Sequence, residues 1–354
     1  MSARRRRWLI ALLSLVTLPV GWPHHFVLGL TDPPGDAAHL RARTGIDARY
    51  QYLTGGVNTR TGWATWNPNG TFASLYVSES LAQHMIPVFT YYQLLQSKPS
   101  VGAHELERDV SNLADRDTMR AYWADYSLLL RRVAPAAAHH PVVIQVEPDL
   151  WGFLEQDHAT ALARSFARQL LALRNRLAPH VLLAWHLSVW GTNEDPTYSK
   201  PSLAHMDALA ATSAAFYQSL GAHFDLVFND LTNRDAGFYL TVEHNPGTAW
   251  GPEDFHRHDV YIAGFTRRTH APVVLWQLPL GNTTLNETFG HYTDNRLQWW
   301  LEDPTRQHLR ATRDAGVIAL LFGGGAPGTT SAQTDGGRFY RLARRYSAAP
   351  LALH

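Results

Sequence analysis

The chain has 354 residues, 45% of them hydrophobic and 17% charged, enough to bury a substantial core. Its formal net charge is +1, and four of the positive residues sit together at positions 4–7, so no basic excess remains for nucleic acid. With no cysteine there is no disulfide, no thiol nucleophile and no cysteine-bound metal.

Residues 1–21 predict an export signal. Four arginines precede the apolar run WLIALLSLVTLPV, whose 13 residues fall short of the roughly 20 needed to span a membrane. The small-residue cleavage pattern is poor, so a short uncleaved anchor is the other reading and the only membrane attachment expected. Residues 22–354 then form the catalytic domain of a secreted, periplasmic or extracellular protein.

Eight short aliphatic runs follow in order: HFVLGL (25–30), DARYQYL (47–53), IPVFTYY (86–92), VVIQVE (142–147), VLLAWHL (181–187), FDLVFND (224–230), VVLWQLP (273–279) and VIALLFG (317–323). The stretches between them carry helical spacing. Leu162, Phe166, Leu170, Leu173 and Leu177 share one face, as do Met119, Tyr122, Trp123, Tyr126, Leu130 and Val133. Ser202 suits a helix N-cap, and Pro252 and Pro304 suit first turns. Buried strands alternating with helices imply parallel βαβ units, and eight of them imply a single (β/α)8 TIM-type barrel. An open doubly wound sheet is the rival, but no G-x-G-x-x-G follows the first strand. The GGG at 323–325 reads as a tight turn.

A barrel of this kind places its site at the C-terminal ends of the strands. Tyr92 ends strand three, Glu147 and Asp149 end strand four, and His186 ends strand five. Asn229 and Asp230 end strand six with opposite parity, so one of them points inward, and Asp230 is the chemically useful one. Gln277 lies near the end of strand seven and is followed by Asn282; both are neutral and suit hydroxyl binding. Glu147 shares parity with Gln145 and is expected to face the barrel mouth. Asp149 lies beyond Pro148 and either reaches the cleft or caps the following helix. His186 is either functional or a satisfied core histidine. Trp63, Trp66, Trp151 and Trp190 follow strand ends, where flat rings with an N–H donor suit sugar faces. Trp151, Trp190 and one of the first two are expected to line one groove with Glu147. No histidine pair has metal-ligand spacing, so neither a metal nor any other cofactor is expected.

Short motifs in order then resemble family 6 cellulases: DRD (115–117), VEPDLW (146–151), NDLTNRDAG (229–237), and GGG with DGG (335–337). That resemblance implies Asp149 as the general acid, Asp117 as its assistant and Asp335 as the nearest match to the base. The VEPD stretch is also similar to the Asn-Glu-Pro acid/base motif of retaining barrel hydrolases, with Val146 for the asparagine and Gln277 where their nucleophile stands.

The expected function is that of a glycoside hydrolase acting on a polysaccharide or oligosaccharide. Glu147, Asp149 and Asp230 are its catalytic carboxylates, in an acid/base mechanism that inverts. The alternatives are a non-catalytic carbohydrate-binding barrel and a metal-dependent hydrolase.

Overall fold

The computed structural model describes residues 16–231, 235–323 and 327–353. Most of the expected export signal, and two glycines of the GGG turn, lie outside the described residues. Among the described residues no helix is long and apolar enough to cross a membrane.

The strands are β1 (Val27–Thr31), β2 (Ala48–Thr54), β3 (Ile86–Tyr92), β4 (Val143–Val146), β5 (Leu182–Leu187), β6 (Leu226–Asp230), β7 (Val273–Leu278) and β8 (Val317–Phe322). Each pairs in parallel with the next, and β8 pairs with β1, which closes an eight-stranded barrel. All eight expected runs are strands, and the fold is the expected (β/α)8 barrel. Helices follow every strand and cover its outer face, as in Arg116–Ala137 before β4 and Thr160–Leu177 before β5. Ser202 caps the helix Leu203–Ser219 by accepting from the His205 amide, and Pro252 opens Pro252–Thr269. Pro304 instead lies in the turn before the helix Gln307–Asp314.

Strand parity divides the apolar residues into two cores. Val27, Ala48, Tyr50, Val88, Val143, Ala184, Phe228, Val274 and Leu321 fill the barrel interior. Phe89, Ile144, Trp185, Val227, Leu275 and Leu320 face the helices. The interior has no slack at Gly29, where a Cβ would stand 2.4 Å from Leu321 Cδ2. Gly29→Val would overpack it at a cost of roughly 1–3 kcal/mol.

Beside this packing lies a buried ion pair. Arg49 faces outward from β2, fully buried, 3.0 Å from Asp32 at the end of β1 and 3.2 Å from Glu79. Its guanidinium also lies over the Tyr76 ring. Removing Arg49 would leave Asp32 buried and unpaired, a loss of roughly 3–5 kcal/mol.

At the N-terminal rim of the barrel the two ends of the described chain meet. His25 and Ala352 form an antiparallel bridge, Phe26 N donates to Leu351 O (2.7 Å), and Leu353 N donates to His24 O (2.9 Å).

Candidate active site

The inward parity of the strands turns polar at their C-terminal ends. Tyr52, Thr90, Gln145, His186 and Asp230 each stand one step above an apolar interior residue of the same strand, and Tyr92 stands one step above Thr90. Trp276 of β7 fills the floor between Tyr52, 5.8 Å away, and His186, 5.6 Å away and edge-on. Above this layer is a cavity of about 280 Å³ lined by Tyr52, Tyr92, Asp149, Trp190, Asp230 and Gln277, with Asp195, Thr197 and Tyr198 from the segment after β5 and Tyr239 from the segment after β6.

One hydrogen-bonded chain crosses the floor. Thr90 Oγ1 donates to Gln145 Oε1 (2.9 Å), so the Gln145 amide nitrogen is left to donate to His186 Nδ1 (2.8 Å). A neutral ring accepting at Nδ1 carries its proton on Nε2, which meets Asp230 Oδ1 at 3.1 Å. His186 is 1% exposed. It therefore orients Asp230, which lines the cavity, from below. Asn229, of opposite parity, faces the helices, donating to Leu187 O and accepting from His258.

Asp149 lies in the first turn of the helix Pro148–Gln156 and does not cap it; its Oδ2 accepts from Tyr92 Oη at 2.9 Å. Burial raises its pKa above the ordinary carboxylate range. The Asp230 charge adds to that shift, and the Tyr92 bond opposes it. Across the cavity, Gln277 Nε2 donates to Tyr52 Oη at 2.7 Å. Asp195 accepts from the Thr197 amide at 2.8 Å, and burial raises its pKa as well.

Glu147 is placed differently from the expectation. Its backbone turns left-handed, with φ 45°, and this swings the side chain out of the inward register. The carboxylate is fully buried behind the cavity and accepts from the amides of Gln93 (3.0 Å) and Leu94 (3.2 Å). Burial pushes its pKa up to about 8 against those two amides. The opposite happens at Gln277: its φ of 55°, beside a register shift between Leu275 and Leu278, carries an outward-parity residue into the cavity.

The tryptophans separate too. Trp190 lines the cavity, with its ring 4.8 Å from Phe153. Trp151 does not: it is buried between sheet and helices against Phe166, Trp185 and Phe224, and donates to Val146 O. Trp63 is buried and donates to Asp125, while Trp66 is exposed and packs on Phe72. Neither lines the cavity, so the shared groove of tryptophans with Glu147 is not formed. Asn282 is also outside it; its amide holds Asp335 O and its carbonyl accepts from Thr284 N. Asp335 accepts from the amides of Gly337, Arg338 and Phe339 at a helix start, and Asp117 is exposed beside Arg120.

The residues that sequence reasoning missed are Tyr52, Trp276, Asp195, Thr197, Tyr198 and Tyr239. For the first two the signal was present, since each shares parity with interior residues of its strand. The other four come from beyond the strand ends, Asp195 before the short helix Pro196–Ser199, Thr197 and Tyr198 within it and Tyr239 in the helix Ala236–Thr241, with no motif.

The raised pKa of Glu147 sets a pH dependence of stability. Its contribution is complete below the ordinary carboxylate pKa and is lost as pH rises through about 8. Asp109, pushed up to about 9 by burial and by Glu147, acts in the same direction. Melting temperature should therefore fall between pH 5 and pH 9. Glu147→Gln, which keeps an oxygen for Gln93 and Leu94 but cannot ionise, should recover on the order of 3 kcal/mol at pH 9. A thermal-shift series that is flat in the wild type would refute this.

Neither a protein-family model nor a curated protein sequence matches the chain. Solved structures do resemble it. An exo-β-1,4-mannosidase from Opitutaceae bacterium strain TAV5 aligns over 96% of the chain at 12% identity with a TM-score of 0.57; the chain spans 62% of that protein. A family 26 β-mannanase from Bacteroides ovatus aligns over 96% of this chain and 93% of its own, at 12% identity and a TM-score of 0.56. A modular endo-β-1,4-mannanase from Cellulomonas fimi aligns over 92% and 71%, at 13% identity and 0.54. At such identities the likeness is one of fold, and the fold these structures share with the chain is the (β/α)8 barrel.

Proposed function

We propose that the protein is an exported glycoside hydrolase that cleaves a polysaccharide or oligosaccharide with Asp149 as general acid and Asp230 as general base. One observation carries this reading: two carboxylates in unlike surroundings face one cavity at the C-terminal ends of the strands. Burial raises the Asp149 pKa, the direction a general acid needs, whereas Asp230 lines the cavity with one oxygen accepting from His186. Tyr92, Tyr52, Gln277 and Thr197 surround them with hydroxyl and amide groups, and Trp190 and Trp276 offer apolar ring faces. Protein neighbours with this barrel are described as mannan-active, which makes β-1,4-mannan a first polymer to try.

In this mechanism Asp149 passes its proton to the glycosidic oxygen as the bond to the anomeric carbon breaks. Asp230 takes a proton from a water that attacks the opposite face, so the product anomer is inverted. The neutral Gln277 on β7 supports this route over a covalent intermediate formed from that strand. A reducing-sugar screen across polysaccharides tests the activity, and NMR of the first product anomer tests the stereochemistry. A retained anomer would overturn inversion and leave hydrolysis standing.

The same neutral Gln277, with Glu147 turned away, favours a second reading as a carbohydrate-binding barrel without turnover. Tight binding of a glycan that is never cleaved would establish it. Among the described residues no group of three or more histidine, aspartate or glutamate side chains is placed to hold a metal ion.

Trp190→Ala should separate binding from folding under either reading. The ring is partly exposed in the cavity wall, so its loss removes about 1–1.5 kcal/mol of sugar contact, a roughly tenfold rise in KM or Kd. An unchanged KM would remove Trp190 from the sugar contacts.

A further inference from the structure

Tyr92 touches two carboxylates. Its hydroxyl lies 2.9 Å from Asp149 Oδ2, inside the cavity, and 2.9 Å from Glu105 Oε1, outside the cavity lining. Glu105 opens the helix Glu105–Ala114 and is partly open to solvent. A phenol has one hydrogen, so it donates to one of these oxygens only. The second contact is a hydrogen bond only if the other carboxyl carries a proton and donates to the tyrosine oxygen. The geometry therefore describes two arrangements of one shared proton: held by Asp149 with Tyr92 donating to Glu105, or held by Glu105 with Tyr92 donating to Asp149.

We propose that Tyr92 and Glu105 form a proton relay that recharges Asp149 from solvent by a path outside the sugar cavity. This rests on the reading of Asp149 as the acid. After Asp149 has given its proton to the leaving oxygen both carboxylates are ionised, and Glu105 first takes a proton from bulk solvent. Tyr92 then passes its hydroxyl proton to Asp149 Oδ2 while Glu105 returns the proton to the tyrosine oxygen in the same step, which leaves Glu105 ionised again. No charge is left on the phenol. The acid is reset while product still fills the cavity. Glu105 acts through Tyr92 and is a positioning residue.

The surroundings favour one retained proton. Burial and the Asp149 charge raise the pKa of Glu105, opposed by the Tyr92 bond and by Arg108. Asp149 itself faces Tyr92, His186 and Asp230. Behind the pair stands Asp109, 1% exposed, with neither oxygen hydrogen-bonded among the described residues. Asp109 in turn feels Glu147, Glu105 and Asp149. The phenol is held protonated by burial and by its two carboxylate neighbours.

The test compares Glu105→Gln, Tyr92→Phe and Asp149→Asn with the wild type. Two measurements are made: the pH profile of kcat/KM, and a ¹³C-carboxyl NMR titration of Asp149, assigned by its loss in Asp149→Asn. In Glu105→Gln the amide donates to the phenol oxygen and commits the hydroxyl to Asp149. The Asp149 midpoint and the alkaline limb of the profile should then both fall by about one pH unit. Tyr92→Phe removes the donor, so the same midpoint should rise. Both variants should lower kcat roughly tenfold on a glycan with a sugar leaving group, and Glu105→Gln, which lies outside the cavity lining, should spare an aryl glycoside whose leaving group needs no proton. If Asp149→Asn keeps full rate, or no glycan is turned over, the assignment of Asp149 as acid fails; an Asp149 midpoint that still moves in opposite directions in the two variants then keeps the shared proton. If Asp149→Asn is inactive while neither the midpoint nor the limb moves in Glu105→Gln, the relay is overturned.

Discussion

We expect the Asp149→Asn protein to fold as the wild type does and to lose roughly 10²–10⁴-fold in turnover of a glycan with a sugar leaving group. The asparagine oxygen still accepts from Tyr92, and the residue caps no helix, so stability has little reason to change. What disappears is a dissociable proton held above the ordinary carboxylate range by burial. The alkaline limb of the kcat/KM profile should disappear with it. Substrates with activated aryl leaving groups should lose far less, because their departure needs no proton. Near-normal turnover of a confirmed glycan by this variant would sink the acid assignment.

Asp230→Asn should cost a comparable factor, with a different signature. Its oxygen can still accept from His186 Nε2, so the chain from Thr90 through Gln145 and His186 stays closed. The loss should persist on activated leaving groups, since water attack still lacks its base. The acid limb of the profile should vanish instead of the alkaline one. If the loss is confined to poor leaving groups, the two aspartates have exchanged roles. If full rate remains on every substrate, Asp230 serves only to hold His186.

Much of the fold was legible because the physical signal was long-range and repeated. Eight buried strands of Val, Ile and Leu, each followed by a helix-spaced stretch, admit few closed arrangements, and the observed strand ends lie within two residues of the expected ones. Parity limited the inward residue at the end of β6 to one of Asn229 and Asp230, and the choice of Asp230 rested on its chemistry. In the structure Asp230 meets His186 while Asn229 faces the helices.

The failures come where the backbone leaves the extended conformation. Glu147 and Gln277 both have positive φ at a strand end, and both present the side chain to the face opposite to its parity. Holding a non-glycine residue there costs on the order of 1–3 kcal/mol, which must be offset by surroundings that a linear pattern does not display. For Glu147 the offset includes the Gln93 and Leu94 amides from the loop after β3. The tryptophan argument failed for a related reason. Trp151 and Trp63 were read as loop residues, but both belong to helices that begin at or soon after a strand end, and a helical residue there packs back onto the barrel. Asp195, Tyr198 and Tyr239, in or beside short helices beyond the strand ends, carry no pattern at all.

The meeting of residues 24–26 with 351–353 has a practical side. Both segments lie at the rim opposite the cavity. A resin or a fused module attached beside either segment would therefore sit underneath the barrel. Under the proposed function, a long polymer could then slide across the upper face without meeting the attachment.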